Sequence, residues 1–531
     1  MYLLFIALLF TLAITDLVVG VSNDAVNFLN SAVGSKAGSR KVILVVAAFG
    51  IFAGALFSSG IMEVARKGIF NPQMFTFSEV MVIFLAVMIT DILLLDIFNS
   101  RGMPTSTTVS IVFELLGAAV AVSIFKLLNS DKPLINIVDY INSSKAITII
   151  SGIFLSVVIA FITGIVAQFI SRLIFSFHYE QRIKKYGGVW GGFALSILSY
   201  FLLIKGVKGA SFVPAATNNW ITANSYLLLG VSFVFWTAVF QVMVMFTKVN
   251  VLRIIVLIGT FSLAMSFASN DLVNFIGVPL AGLESFRLWG ESGENANLLM
   301  TGLSGQVQTP TLLLMFAGLI MVITLWKSKK AKKVTDTEVN LGRQGEGKEK
   351  FKSNKIALWI VSSATYLVDK ISDLIPQRFH AEIDRHYMPK RKKKNPPAFD
   401  LVRASVNLTM ASMLISIATI NKLPLSTTFV SFMVAMGTSL SDKAWGRSAE
   451  YRIAGVLSVI GGWLLTALIA FAVSAVFAIV IFYSGAIGAI LLLTGVAITI
   501  YITTRNHNKE LAEEGQTRTS TSTRAEIPEL T

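Results

Sequence analysis

Cysteine is absent from this 531-residue chain, which excludes disulfides and thiolate metal sites. Histidine is almost absent. His178, His380, His386 and His507 are the only four, and none is followed by a second ligand at metal-binding spacing. Charged residues make up only 14%, where an ordinary soluble domain carries roughly 25%. What fills the space is apolar: 54% of the chain is hydrophobic, in long runs over residues 2–12, 41–56, 80–95, 146–170, 226–246, 251–267 and 312–326. Most of these runs approach the roughly 20 residues a helix needs to cross the hydrocarbon core. A soluble protein could bury one or two such helices, but it would have no surface left for this many. The first run lacks a basic segment ahead of it, so it reads as a span and not as a cleaved leader. The expectation is an all-α integral membrane protein of the cell membrane, crossing it many times.

Five zones follow from the pattern: a first membrane unit with linking helices over 1–250, the start of a second over 251–326, a basic loop over 327–400, the rest of the second unit over 401–503, and a polar tail over 504–531 expected to be disordered. The net charge of +15 sits mainly in the basic loop, which carries Lys327-Ser328-Lys329-Lys330-Ala331-Lys332-Lys333 and Lys390-Arg391-Lys392-Lys393-Lys394. Nothing aromatic is interleaved within these two basic runs to stack bases, so nucleic acid is not expected as a partner. A positive-inside signal, with some attraction to anionic lipid headgroups, accounts for the charge. That makes the loop cytoplasmic; residues 172–185 and 36–41 would join it inside, with the N-terminus outside. Residues 356–375 could form an amphipathic helix on the membrane surface.

Two motifs occur twice, in the same order. Ser22-Asn23-Asp24-Ala25-Val26-Asn27-Phe28 returns as Ser269-Asn270-Asp271-Leu272-Val273-Asn274-Phe275. Pro104-Thr105-Ser106-Thr107-Thr108-Val109-Ser110 returns as Pro424-Leu425-Ser426-Thr427-Thr428-Phe429-Val430-Ser431. A duplication of polar motifs inside apolar segments is the mark of a transporter built from two repeats.

The chemistry of each motif can be read directly. A carboxylate in an apolar span costs at least a few kcal/mol unless it faces an interior or a cavity. Asp24 with Asn23 and Asn27, and Asp271 with Asn270 and Asn274, make hard-oxygen ligand sets suited to a hard cation. Interhelical hydrogen bonding by the same side chains is the plainer alternative for a single copy. Pro-x-Ser-Thr-Thr suits a helix start, with proline in the first turn and a hydroxyl on the free amides. Such a start offers N–H donors and the positive dipole end to an anion, so Ser106, Thr107, Thr108, Ser426, Thr427 and Thr428 are candidate anion donors, joined by Asn23 and Asn270. Cation and anion would neutralise one another, which is a physical basis for symport. A protonated tetrahedral anion is favoured mildly, because it offers a hydroxyl that a buried carboxylate can accept.

These residues resemble the inorganic phosphate transporter family of sodium- or proton-coupled symporters. Both Asn-Asp-x-x-Asn cores are similar to the family's repeated signature. Ala32-Val33-Gly34-Ser35-Lys36 and Gly277-Val278-Pro279-Leu280-Ala281 resemble the continuations after each copy, and Glu63-Val64-Ala65-Arg66-Lys67-Gly68 resembles its Glu-Thr-Ile-Arg-Lys-Gly segment. The resemblance implies two inverted repeats with roughly 11–12 transmembrane helices, broken or re-entrant at the centre, and alternating access by symport of inorganic phosphate. It also implies sodium at Asp24, Asn27, Asp271 and Asn274, a supporting role for Glu63, and a homodimer as one option. No cofactor beyond the coupling ion is implied. Val109 and Phe429 stand where the family commonly has histidine, which tilts the expected coupling ion from proton to sodium. Ser22 and Ser269 replace an alanine, so another oxyanion such as sulfate stays open as substrate. Asp96 and Arg403 are further candidates: Asp96 as an ion ligand or a helix-pairing residue, Arg403 as an oxyanion-holding guanidinium or a cytoplasmic helix-end anchor. Asp91 could ligate an ion or pair helices, and Glu114 reads as structural. A membrane enzyme is disfavoured, since the spans offer no nucleophile with an acid–base partner.

Overall fold

The computed structural model describes residues 2–56, 69–130, 133–209, 214–304, 310–344, 396–420, 425–442 and 449–524. Among these the secondary structure is helical, and pairing outside helices is limited to two isolated bridges, Phe70 with Ile141 and Thr76 with Leu299. The first half contains α1 (Tyr2–Asp24), α2 (Val26–Gly34), α3 (Arg40–Leu56), α4 (Phe77–Arg101), α5 (Thr107–Asn129), α6 (Ser143–Phe175), α7 (Tyr179–Gly209) and α8 (Ser225–Phe246). The second contains α9 (Val251–Glu291), α10 (Thr311–Lys327), α11 (Lys329–Leu341), α12 (Leu401–Ile420), α13 (Thr427–Ser441) and α14 (Ala449–Arg524).

Eight helices among the described residues are long and apolar enough to cross a membrane, and a ninth span arises if α10 and α11 are joined. This is below the roughly 11–12 expected, for identifiable reasons. α3 and α13 have 17 and 15 residues, short of a full crossing. α14 carries a 48-residue apolar stretch, enough for two crossings, and is kinked at Gly485 where φ is +57°. Glu63, the 356–375 amphipathic helix and most of the basic loop lie outside the described residues.

The duplicated helices α1 and α9 pack side by side in opposite directions. Tyr2 at the start of α1 meets Trp289 near the end of α9, Gly20 lies under Phe275, and Phe28 meets Phe267. α4 is the most enclosed span, 89% buried along its apolar window, whereas α8 is 6% buried and turns its side chains outward. With hydrocarbon outside, exposed leucine and valine cost nothing, so close packing must come from small residues. α6 and α13 approach through Gly164 and Gly437, where a Cβ on either would strike the other helix's backbone at Val434 or Phe161.

One polar knot ties three helices together. Arg172 of α6 is fully buried and donates to both oxygens of Asp442 (2.7 and 2.8 Å), at the end of α13. It also donates to both oxygens of Asp400 (2.7 and 3.0 Å), just before α12. Gln168 and Gln344 add donors to Asp442 at 2.7 and 2.8 Å. Arg403 belongs to this knot, with Nη1 4.0 Å from Asp442 and its guanidinium 4.9 Å from the Phe399 ring centre.

α11 is bent by 69° from α10 and packs against α1, α2 and α4. The charged end of the basic segment is therefore docked. Ser328 meets Ser22 (2.8 Å), Lys330 pairs with Asp96 (2.6 Å), and Glu338 accepts from Asn30 of α2. α11 is too polar to span, and it lies across the ends of the helices it contacts. Burial pushes the Glu338 carboxyl up to about 8.

Two outcomes are expected. Arg172→Met leaves two carboxylates without their main partner and should cost about 3–5 kcal/mol, read as a lower midpoint of thermal unfolding in detergent. The neutral form of Glu338 is the one the dock favours, so docking is intact at acid pH and weakens as pH rises from the free-glutamate range through about 8. Hydrogen exchange over 329–341, corrected for the intrinsic rate, should quicken on the alkaline side of that value, and Glu338→Gln should remove the difference.

Candidate functional site

The breaks in the helical core fall at the hydroxyl motifs. α4 ends at Gly102, which adopts φ +64°, a conformation open to glycine without strain. The chain then runs extended to Ser106, whose Oγ accepts from the Val109 amide at 3.1 Å and starts α5. Ser426 does the same for α13, accepting from Phe429 at 3.1 Å; Pro424 lies outside the described residues. The Asn-Asp motifs, by contrast, sit on nearly continuous helix. α9 runs straight through Asp271, and Ala25, between α1 and α2, keeps helical angles (φ −54°, ψ −28°).

The four segments meet in the middle and exchange partners crosswise. Asp24 accepts from Thr107 of its own half (2.9 Å) and from Thr428 of the other (3.1 Å). Asp271 accepts from Thr427 of its own half and from Thr108 of the other (3.3 Å). In each half the first threonine serves the local aspartate and the second serves the distant one. The second asparagines follow the same crossing: Asn27 donates to Thr428 (2.9 Å) and Asn274 to Thr108 (3.0 Å). The first asparagines hold the extended segments ahead of the helices. Asn23 accepts from the Thr105 amide (3.0 Å), and Asn270 donates to Asp271 (2.8 Å) and reaches the Leu425 carbonyl (3.5 Å).

Both aspartates are fully buried. Among the described residues no lysine, arginine or histidine hydrogen-bonds into this centre. Its donors are hydroxyls and amides, and its charge is carried by two carboxylates. Such a set of carboxylate, amide and hydroxyl oxygens is matched by a small hard cation.

The structure thus brings together Asn23, Asp24, Asn27, Thr107, Thr108, Asn270, Asp271, Asn274, Thr427 and Thr428, with Ser106 and Ser426 as the caps beside them. It does not bring Asp96 or Arg403 there. Asp96, five residues before the end of α4, is turned to Lys330 and Thr503, and Arg403 is in the Arg172 knot. Two contributors escaped the sequence reading. Asn99 donates to the Val19 carbonyl (2.8 Å) and accepts from Asn23 (2.8 Å), fixing α4 to α1. Trp463 of α14 stacks on Phe429 at 4.0 Å and donates to the Pro104 carbonyl (3.1 Å), holding both hydroxyl motifs at once. No local pattern distinguishes either from an ordinary span residue.

Fold and site together define a polytopic membrane protein with one duplicated polar centre. The chain belongs to the phosphate transporter family, whose model matches residues 20–334. A protein of Pyrococcus furiosus provisionally described as a phosphate permease is 25% identical over 274 residues, 51% of this chain and 64% of that one. Its counterpart in Pyrococcus abyssi is 26% identical over 282 residues, 51% of this chain and 65% of that one. A Bacillus subtilis protein, with the provisional description of a low-affinity inorganic phosphate transporter, is 29% identical over 153 residues, 29% of this chain and 41% of that one. The matches span less than two thirds of these relatives' own lengths. A solved sodium-dependent phosphate transporter superposes with a TM-score of 0.62, covering 90% of this chain and 99% of that one at 18% identity, a likeness of fold.

Truncating either crossing hydroxyl should be costly. Thr428→Ala takes away the hydroxyl that serves both Asp24 Oδ1 and the Asn27 amide, and about 1–3 kcal/mol of stability should be lost by thermal unfolding; Thr108→Ala should cost less, because Asn270 still donates to the same Asp271 oxygen. Threonine-to-serine replacement should restore most of it.

Proposed function

We propose that this protein is a secondary active transporter that carries inorganic phosphate across the cell membrane in symport with sodium, by alternating access. The crosswise exchange between Asp24, Asp271 and the two Thr-Thr pairs carries this reading. In the closed centre each carboxylate is occupied by two hydroxyl donors. A sodium ion that takes those oxygens, with Asn27 and Asn274 completing its shell, frees the hydroxyl protons. Those protons, and the free amides at the starts of α5 and α13, can then donate to a tetrahedral anion. The anion gains its donors only after the cation has displaced them, so neither binds well alone. That ordering is coupling in chemical terms.

The antiparallel packing of α1 and α9 supports an inverted repeat, in which the two halves open the same centre to opposite faces in turn. Positive charge around Lys329–Lys333 supports a cytoplasmic position for that side. Sulfate, or another oxyanion, is the competing substrate. Monohydrogen phosphate is favoured because its hydroxyl can donate to a buried carboxylate, which sulfate cannot do.

Radiolabelled phosphate uptake into proteoliposomes tests this. An inward sodium gradient should drive accumulation, a proton gradient alone should not, and Asp24→Asn should abolish the sodium dependence. Arsenate should compete and sulfate should not. Uptake that ignores sodium, or a complete lack of phosphate uptake by folded protein, would remove the assignment.

A further inference from the structure

Three carboxyl groups outside the central site meet in the apolar core between α1, α4 and α5. Asp16, Asp91 and Glu114 are each fully buried. Asp16 lies two turns of α1 before Asp24, about 12 Å along the axis at about 1.5 Å per residue. Asp91 is within hydrogen-bonding reach of Ser110, Asp16 and Glu114. Both oxygens of Asp16, both of Asp91 and Oε2 of Glu114 find no donor among the described residues. Ser110 is the hydroxyl at hand, and it spends its proton on Glu114 Oε1 at 2.6 Å.

Among the described residues no lysine, arginine or histidine hydrogen-bonds to the trio. The acidic groups that bear on the trio are its own members and Asp24, with Asp271 of α9 beyond. Lys126 of α5 pairs with Glu79 at the start of α4, and Lys330 of α11 pairs with Asp96 near the end of α4. Two ionised carboxylates are acceptors only and cannot hydrogen-bond to one another. Each carboxyl–carboxyl contact therefore needs a proton between its partners, or a cation. Among the described residues no group of three such side chains has the arrangement to hold a metal ion, which favours the proton.

Packing alone does not ask for these acids. At the spacing that aligns the repeated motifs, the second half carries Leu263, Ala411 and Val434, all buried. An acid inside a membrane core is expensive, and here three occur together in one half only.

We propose that Asp16, Asp91 and Glu114 form a proton-binding site separate from the paired-motif centre, with two protons shared across the two carboxyl contacts. Loss of those protons would place new negative charge on the helix that carries Asp24, so occupancy of this site adjusts the centre through α1. The site stands on its own geometry, whatever anion the centre carries.

Infrared spectroscopy of the reconstituted full-length protein tests it without relying on transport. In sodium-free buffer at neutral pH the protonated-carboxyl stretch should be present, shift in heavy water and fade at alkaline pH. Difference spectra should show it reduced in Asp91→Asn, and reduced further in the triple variant Asp16→Leu, Asp91→Ala, Glu114→Val, which uses residues the other half already tolerates. Glu338→Gln in every background removes the remaining buried acid of α11 from the signal. No such band in the unsubstituted protein, or a band that all variants leave intact, overturns the proposal. A band that vanishes on adding sodium at constant pH also overturns it, by making sodium the occupant. Should a variant fail to fold, the pH and sodium titrations of the unsubstituted protein still decide.

Discussion

A carboxylate in the middle of a membrane protein must be met by donors or by a cation, because neither water nor lipid is there to do it. Much of this structure can be traced to that demand at Asp24 and Asp271. The donors are threonine hydroxyls in the first turns of α5 and α13, so two helices must begin beside the aspartates. That requires the breaks at Gly102 and ahead of Ser426, and the serine caps that make those breaks tolerable. The extended segments so created have polar backbone of their own, and Asn23, Asn270 and Trp463 satisfy it. Antiparallel α1 and α9 then put the two aspartates within reach of both threonine pairs.

Much of this was legible in the sequence, because the duplication wrote each motif twice. One Asn-Asp-x-x-Asn could be interhelical glue, but two copies in order with two hydroxyl motifs are hard to read that way, and their convergence followed. The breaks were expected at the centre. The structure puts them at the hydroxyl motifs and leaves the aspartate helices nearly continuous, since Asn and Asp side chains do their work from helical backbone.

What stayed hidden depends on partners hundreds of residues apart. Arg172 pairs with Asp400 and Asp442, and nothing near residue 172 announces a buried fourfold donor. Arg403 looked like an anion holder because the residue type suits that task, yet its place in the Arg172 knot is set by the packing of α6, α12 and α13. Asp96 was drawn elsewhere by Lys330, a residue whose charge suggested a solvated loop. Asp16 has no repeated partner and no motif around it, so periodicity passes over it as one polar residue in an apolar helix.

The crossing of hydroxyls and carboxylates also latches the two halves of the chain at their centre. Each aspartate takes one hydroxyl from its own half and one from the other, through Thr428 to Asp24 and Thr108 to Asp271. A rearrangement that parts the halves must therefore exchange both cross-half hydrogen bonds, since releasing one leaves the other still tethered to a buried carboxylate.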